Sequence, residues 1–344
     1  MDSNGLKDVA FWLSAEDYLM GFPPDAGGAR YFLMWRATPC VVIGRNQLAE
    51  AEIDMAAAER AGVGVTRRSS GGGAVYLDPG SMQYAVIQPY APGGGDDALK
   101  IARAEVSGAI ARALGGFGVP AAVEGRNDVT AGGAKISGVS QLVRGGWLNT
   151  HGTLLYDADL EALGRLLKPD DAKFTSKAVR SVRSRVTNIK AILADAGGRP
   201  DAGPAGQFMA AFEARMRKDA AEQGRPFAEF SFSPGDFKKI EAIRLERYAN
   251  PGAVFKSSPP FTFRAARRFP QGKVDVYVCV KAGITEACAI RGDFIGAAPV
   301  EELERALCGR PFQIGCYEAA ACEKLVADCL GGVSKTEFLD MLFS

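Results

Sequence analysis

The stretch Arg67-Arg-Ser-Ser-Gly-Gly-Gly-Ala-Val-Tyr76 carries three successive glycines shortly after a pair of arginines. Glycine backbone N–H groups can converge on an anion because no side chain blocks their approach. The two arginines can offer paired hydrogen bonds to a phosphate or a carboxylate. The simpler alternative is a glycine-rich hairpin turn between two strands, with surface arginines. The stretch is not a Walker A loop, since no Gly-Lys-Ser/Thr follows, and not a dinucleotide fingerprint, since no helix opens after it.

Short, bulky apolar runs and amphipathic segments alternate around this stretch, which predicts a mixed α+β fold. The runs at 31–35 and 40–43 are typical of strands buried on both faces. Further strands are predicted at 63–66, 74–76, 83–87 and 148–156, and helices at 10–20, 52–62, 97–115, 158–167, 188–194 and 206–223. The segments 127–129 and 135–141 flank another glycine turn.

A cluster of Pro and Ser at 250–260 predicts a domain boundary. After it, 273–281 alternates valines with other residues and meets 284–290 across Gly283, which predicts a hairpin. Helices predicted at 299–308 and 317–330 complete a small unit. We therefore expect a large sheet-containing domain at 1–255 and a smaller α/β accessory domain at 256–344.

The charges are balanced, with 41 Lys and Arg against 40 Asp and Glu, so no global attraction to nucleic acid or to an anionic membrane is expected. The seven cysteines contain no C-x-x-C pair, and the N-terminus lacks the features of a secretory signal. We expect a cytoplasmic protein in a reducing environment, without a membrane span.

A second glycine turn lies between Asp128 and Lys135. A lysine aimed into a site from such a turn can neutralise charge that develops in a transition state. Asp128 could hold a magnesium ion through one carboxylate and leave the remaining positions to water and phosphate. The alternative is an exposed lysine beside a turn-forming aspartate.

Two further segments could carry chemistry. His151 is the single histidine of the chain, and a lone histidine at the start of a strand is usually a hydrogen-bonded structural residue. The stretch 173–188 contains only positive charges and several serines. That composition suits a solvated or nucleic-acid-facing segment, and equally a mobile loop that closes over a polyphosphate.

In this order, the segments resemble the lipoate–protein ligase A family over most of the chain. The resemblance rests on Trp35-Arg36, Val41–Gln47, Arg67–Tyr76, Gly125–Asp128, Lys135–Gly138, His151–Leu155 and Ser181–Asn188, and on Gly283-Ile284 and Pro299–Leu303 in the accessory part. It implies a biotin/lipoyl-ligase-like catalytic domain that uses ATP and Mg²⁺ to convert lipoate to lipoyl-AMP. The lipoyl group would then pass to a lysine of a carrier, either a lipoyl domain of a 2-oxoacid dehydrogenase E2 subunit or the glycine-cleavage H protein. The resemblance also implies a monomer.

The resemblance assigns roles by matching position. Lys135 would be catalytic and would contact both lipoate and the α-phosphate. The adenylate would be bound by Arg68, Gly73, Ala74, Val75, Tyr76, Asn127, Asp128, Lys135, Lys177 and Arg183. The lipoate would be bound by Arg45, Asn46, Arg67, Gly72, Lys135 and His151. Asp128 would also meet the magnesium ion, and Lys177 and Arg183 belong to a loop that would order around the adenylate.

The chain departs from the family pattern at Leu77, where the family usually has His, at Ser81, where Asn is usual, and at Ala134, which is often basic. Leu77 removes a polar group beside the glycine turn and bears on acyl preference. Two rivals follow. One is an octanoyl or lipoyl acyltransferase of the same fold with a cysteine nucleophile, for which the large domain offers only Cys40. The other is a non-catalytic lipoate-binding relative, against which Lys135, Asp128 and both arginines argue.

Overall fold

The computed structural model describes residues 6–24, 30–47, 49–90, 95–125, 128–167, 186–195, 203–225, 227–250, 261–281 and 283–343. Its largest element is a six-stranded sheet formed by β1 (Tyr31–Trp35), β5 (Ser81–Pro89), β6 (Ala121–Glu124), β7 (Asp128–Ala131), β8 (Ala134–Arg144) and β9 (Trp147–Leu155). The spatial order is β1-β5-β9-β8-β7-β6, and all neighbours are antiparallel. The edge strand β1 is only half-buried, so the prediction that it is buried on both faces is wrong.

A second sheet holds the strands on both sides of the glycine stretch. It consists of β2 (Cys40–Ile43), β3 (Gly64–Arg67) and β4 (Val75–Leu77), in the order β3-β2-β4. β3 runs parallel to β2 and β4 runs antiparallel to it. Because β2 lies between them, β3 and β4 do not pair, and the hairpin alternative for the glycine stretch is wrong. The connection instead crosses the end of β2.

The central strand β2 is buried on both faces, as its uninterrupted apolar sequence predicts. Cys40 and Val42 pack in a cluster with the first helix, whereas Val41 and Ile43 face a separate apolar cluster. The helices of the large domain are α1 (Val9–Leu19), α2 (Ala49–Glu52), α3 (Met55–Arg60), α4 (Gly95–Gly115), α5 (Leu160–Leu166), α6 (Ile189–Asp195), α7 (Ala205–Glu222) and α8 (Pro234–Ile243), followed by a π-helical turn at Arg244–Tyr248.

The main core forms where α4 and α7 pack on the large sheet. Ile110 and Phe212 from these helices meet Tyr84, Ile136 and Leu154 from the strands, and all five side chains are fully buried. Burial of apolar area on this scale is the main favourable contribution to folding.

The C-terminal unit has its own antiparallel sheet, β10 (Phe263–Phe269), β11 (Gly272–Lys281) and β12 (Ile284–Gly292). β11 and β12 form the predicted hairpin across Gly283, whose φ of 77° suits a residue without a side chain. Four helices cover this sheet: α9 (Val300–Leu307), α10 (Ile314–Ala320), α11 (Glu323–Leu330) and α12 (Lys335–Phe343). The helix predicted at 317–330 is in fact two helices, α10 and α11.

The mixed α+β class is confirmed, with a large antiparallel sheet and a smaller C-terminal sheet-and-helix unit. The predicted boundary between residues 255 and 256 lies outside the described residues. α8, β6, β10 and α12 are elements that the sequence patterns did not indicate. Every helix within the described ranges is too short or too polar to cross a lipid bilayer.

Candidate active site

A cavity of about 190 Å³ lies where α1, the small sheet and the middle strands of the large sheet meet. One part of its wall is apolar and includes Leu13, Trp35, Val42 and Leu77, which belong to or pack against one buried cluster. The remaining wall carries the glycine turn and the side chains of Glu16, Arg68, Gln83, Lys135, Ser140 and His151. An apolar slot with a few cations and polar groups is typical of a small-molecule site.

Arg68 is the buried cation of this cavity, with 7% of its surface exposed. Its guanidinium donates to the carbonyl oxygens of Val42, Gly71 and Gly73 and to the Ser70 hydroxyl, all of which are neutral. Burial, together with the positive charge of Arg67, lowers the pKa of Arg68 to about 10. A bound anion would relieve this desolvation cost, which makes the Arg68 end of the cavity suited to a carboxylate or a phosphate.

The connection from β3 to β4 wraps around the Arg68 side chain because its glycines allow it. Gly72 has a φ of 88°, and a Cβ atom there would lie 2.9 Å from the Arg68 guanidinium. The neighbouring Arg67 takes a different direction and donates to the carbonyl oxygens of Gly44, Arg45 and Gln47. Arg67 is therefore held by backbone, and it is not among the residues that line the cavity.

Lys135 stands at the start of β8 and reaches the cavity from the β7–β8 turn. Its Nζ lies 2.6 Å from Oδ1 of Asp128, a close ionic contact whose geometry is not that of a hydrogen bond. Both side chains are about one-third exposed, so water screens this pair. A Cβ atom on Gly138 would lie 2.8 Å from the Lys135 Nζ, so a larger residue there would displace the lysine side chain from its present position.

The chain returns to Lys135 at Val186, which pairs with it as a parallel bridge. The Thr187 N–H donates to the Lys135 carbonyl oxygen at 3.0 Å. The predicted site residues Asn127, Lys177 and Arg183 lie outside the described residues. The described end of the basic stretch nevertheless lies directly beside the lysine.

His151 forms hydrogen bonds through both ring nitrogens. Its Nδ1 lies 2.7 Å from the Glu16 carboxylate, and its Nε2 lies 2.6 Å from the Ser70 hydroxyl. Asn149 and Trp35 also donate to the same carboxylate. Sequence reasoning missed Glu16, Ser70, Asn149 and Gln83. A charged residue on an amphipathic helix is normally solvated, so the only available signal was that Glu16 lies three residues after the apolar Leu13.

Of the residues that follow the glycine stretch, Leu77 forms part of the apolar cavity wall and Asp78 has a structural role. Leu77 packs in the apolar cluster with Trp35 and is 3% exposed. The Asp78 carboxylate accepts from the N–H groups of Gly80, Ser81 and Asp159, which fixes the turn into β5. The family resemblance implies a His at this position, and Leu77 instead extends the apolar wall of the cavity.

The structure brings together at the cavity seven of the residues predicted from the sequence: Arg68, Gly72, Gly73, Ala74, Val75, Lys135 and His151. Tyr76 is buried in the cluster on the other face of β2. Arg45 and Asn46 instead meet the C-terminal unit, through an ion pair to Glu301 at 2.9 Å and a bond from the Gly292 N–H to the Asn46 carbonyl. These assignments remain predictions.

A metal ion held by protein side chains alone finds no site here, because the described residues contain no group of three His, Cys, Asp or Glu side chains suitable for it. Mg²⁺ is usually held by one or two carboxylates together with water and substrate phosphates. The partly exposed carboxylate of Asp128 fits that mode.

Cys40 is not placed as a nucleophile. It is buried, it donates weakly to the Val41 carbonyl, and it is absent from the cavity wall. Burial raises the pKa of its thiol to about 12, with a smaller contribution from the charge of Asp8. A reactive cysteine needs a stabilised thiolate and access to substrate, and Cys40 has neither.

Residues 8–212 match the profile of the lipoyl protein ligase A/B catalytic domain, and residues 258–342 match that of the bacterial lipoate protein ligase C-terminus. The chain is 30% identical over 356 aligned residues to lipoate-protein ligase LplJ of Bacillus subtilis, an alignment covering 100% of this chain and 99% of that protein. Its fold is similar to the crystal structure of P. falciparum LipL1 in complex with lipoate, with a TM-score of 0.68, 20% identity and 91% of each chain covered. It is also similar to a crystal structure of lipoate-protein ligase A bound with ATP, with a TM-score of 0.58, 22% identity, and 72% of this chain and 94% of that chain covered. The chain therefore belongs to the lipoyl protein ligase A/B family and is an enzyme of the ligase class.

Proposed function

We propose that this protein activates lipoate with ATP to form lipoyl-AMP and then transfers the lipoyl group to a lysine of a carrier domain. The observation that carries the proposal is the pairing of a buried cation with an apolar slot. Arg68 and Lys135 lie in the same cavity wall as Leu13, Trp35 and Leu77. A carboxylic acid with an apolar chain matches both parts of that wall, and a relative and two similar folds carry lipoate or ATP in their names.

In the first step a carboxylate oxygen of lipoate attacks the α-phosphorus of ATP, and the bond to pyrophosphate breaks. Negative charge accumulates on the oxygens around phosphorus. The Lys135 ammonium and the N–H groups of the glycine turn can stabilise that charge where it develops. Arg68, held by neutral acceptors, is free of a competing carboxylate among its hydrogen bonds in the described residues.

Magnesium, when bound, would shield the phosphate charges and help to orient pyrophosphate as a leaving group. Asp128 would hold it. Lys135 would then exchange its ion pair with Asp128 for contacts to the carboxyl and phosphate oxygens, a change made easier by the partial exposure of both side chains.

In the second step the amine of a carrier lysine attacks the acyl carbon, and the bond to AMP breaks. The amide forms and AMP leaves as a stable anion. Lipoyl domains of 2-oxoacid dehydrogenase E2 subunits and the glycine-cleavage H protein are the carriers that we propose. We propose that the protein acts as a monomer.

The acyltransferase rival requires a cysteine that can become a thiolate beside the acyl carbon. Cys40 is buried outside the cavity wall. The non-catalytic rival would also use Arg68 to bind the lipoate carboxylate, but it gives no role to Lys135 and Asp128, which the adenylation scheme uses for the phosphates and magnesium.

The decisive experiment is the exchange of labelled pyrophosphate into ATP, measured with lipoate, octanoate and a short-chain acid in parallel. We expect exchange that depends on both magnesium and lipoate. Acyl transfer from an acyl carrier without exchange would favour the acyltransferase, and lipoate binding with neither activity would favour the non-catalytic relative. A variant with all seven cysteines replaced should retain exchange.

A further inference from the structure

Glu16 places a carboxylate in the wall of the cavity with only 3% of its side chain exposed. Three donors surround it: Nδ2 of Asn149 at 2.8 Å, Nδ1 of His151 at 2.7 Å and Nε1 of Trp35 at 3.4 Å. A buried carboxylate is costly unless it is hydrogen-bonded, and this one is served from two strands of the large sheet. The three hydrogen bonds offset the cost of burying the Glu16 carboxylate and hold it in a defined position.

The direction of the hydrogen bonds leading from Glu16 can be worked out from what each group can donate. An ionised carboxylate only accepts, so the His151 Nδ1 must carry the proton. In neutral imidazole the Nε2 is then an acceptor, and the Ser70 hydroxyl donates to it at 2.6 Å. The Ser70 oxygen in turn accepts from Nε of Arg68 at 3.1 Å, since a guanidinium only donates.

The result is a one-directional chain from Arg68 through Ser70 and His151 to Glu16. It connects the buried cation of the glycine turn to a buried anion on α1 by way of β9. We propose that Glu16 is a positioning residue: it fixes the tautomer of His151, which orients the Ser70 hydroxyl and thereby holds the Arg68 guanidinium in the cavity wall. The significance for catalysis rests on the proposed function, in which Arg68 meets the anionic end of the substrates.

The adjacent residue Asp17 shows what a purely structural carboxylate looks like on the same helix. Its side chain is equally buried, and it pairs with Arg144 at 2.7 Å and with Arg247 at 3.2 Å. It lines no part of the cavity. Asp17→Asn is therefore the matched control for Glu16→Gln. Each substitution removes one buried negative charge from α1, but only Glu16→Gln changes a side chain that contacts His151.

The tautomer can be observed directly because His151 is the only histidine of the chain. Protein labelled with ¹⁵N-histidine gives a single imidazole, whose two nitrogen shifts and one-bond couplings identify the protonated nitrogen. We expect the Nδ1–H form in the wild type at neutral pH. In Glu16→Gln the side chain loses its negative charge and gains an NH₂ donor, so it no longer requires a proton on Nδ1 of His151, and we expect the Nε2–H form to become populated. Asp17→Asn should keep the wild-type spectrum.

The wild-type spectrum tests the proposal without any variant, so the proposal can be refuted even if the Glu16→Gln protein fails to fold. A wild type in the Nε2–H form would overturn it. So would a folded Glu16→Gln protein whose spectrum matches the wild type.

Kinetics test the link to Arg68. Pyrophosphate exchange in Glu16→Gln should fall about tenfold or more, because small displacements of a substrate-binding group are costly. In a double-mutant cycle, Glu16→Gln should have little further effect in a His151→Ala background, since it acts through that residue. Full additivity would overturn the proposal. If the wild type shows no exchange, the proposed function fails while the tautomer experiment still decides the role of Glu16.

Discussion

The N–H group of Gly72, inside the cavity wall, donates to the carbonyl oxygen of Phe294, in the C-terminal unit, at 3.2 Å. The glycine turn therefore has a hydrogen-bond partner in a part of the chain that contributes no residue to the cavity itself. Nearby, Gly71 approaches the same carbonyl so closely that an added Cβ atom would lie 2.4 Å from it. The C-terminal unit therefore packs directly against the glycine turn that holds Arg68.

Gly71→Ala should weaken the contact between the glycine turn and the Phe294 backbone. The new methyl group meets backbone on the Phe294 side, so the turn or the C-terminal unit must shift, at a cost of about 1–3 kcal/mol in the free energy of unfolding. Gly73→Ala is the control, since nothing lies within 4 Å of an added Cβ atom there. Urea unfolding of the two variants measures the difference, and equal stability would show that the contact can adjust freely.

Lys135→Ala should lose lipoate-dependent pyrophosphate exchange by roughly 10²–10³-fold, the usual cost of removing one group that stabilises transition-state charge. The fold should persist because Lys135 is partly exposed and its ion pair with Asp128 contributes little to stability. Lys190→Ala, which removes another ion-paired lysine outside the cavity wall, serves as the control. Exchange at the wild-type rate in Lys135→Ala would remove this lysine from the mechanism.

Leu77→His introduces the residue that the family resemblance implies at this position and tests how apolar the cavity wall is. The imidazole would be buried beside Trp35 without a described partner, and we expect a loss of about 1–3 kcal/mol in the free energy of unfolding. Leu77→Met conserves volume and should cost less than about 1.5 kcal/mol. A His variant at least as stable as the Met variant would mean that the cavity already contains a partner for the ring.

Alkylation should bypass Cys40. Its pKa is raised to about 12 by burial, so the thiolate fraction near pH 8 is very small in the folded protein. The exposed Cys322 provides the internal reference. Peptide mapping after iodoacetamide should show modification of Cys322 well before Cys40, with Cys40 becoming reactive in urea or as the pH approaches 12. Modification of Cys40 before Cys322 in the folded protein would show that the Cys40 thiol is reactive and would revive the acyltransferase rival.

Arg45→Ala tests whether Arg45 binds lipoate or instead connects the two units of the protein. The family resemblance places Arg45 at the lipoate tunnel, whereas the structure pairs it with Glu301 across the two units, both side chains about one-third exposed or more. If the structural position is the relevant one, stability falls by less than about 1 kcal/mol and KM for lipoate is unchanged. A large rise in that KM would support the position implied by the family.

Local patterns predicted most of the strands and helices because period and turn residues act over a few positions. β2, for example, is recognisable from four consecutive apolar residues, and the β11–β12 hairpin from Gly283. The pairing of β2 between β3 and β4 is non-local, and no local pattern separates it from a hairpin at Gly71–Gly73. The contact between the glycine turn and Phe294 is also non-local, so the sequence pattern could not predict it.

The glycine turns and the family resemblance together predicted site roles for Arg68 and Lys135, and both side chains line the cavity, while their roles stay predictions. The site was missed where burial changes the meaning of a residue. In the sequence, Glu16 and Asp17 look like one polar pair on a helix. Tertiary packing surrounds Glu16 with three hydrogen-bond donors at the cavity, whereas Asp17 pairs with two arginines outside it. α8 was missed for a related reason: its charged residues obscure the apolar stripe, and only Ile240 is buried.

The bond between Gly72 and Phe294 also has a consequence for how the protein is made. A ribosome releases the N-terminal part first, so the glycine turn emerges long before the segment that holds it. During that interval the turn lacks this acceptor, whereas the acceptors described for the Arg68 guanidinium have already been synthesised. A truncated product ending before Phe294 would therefore be released without the hydrogen bond that connects the turn to the C-terminal unit.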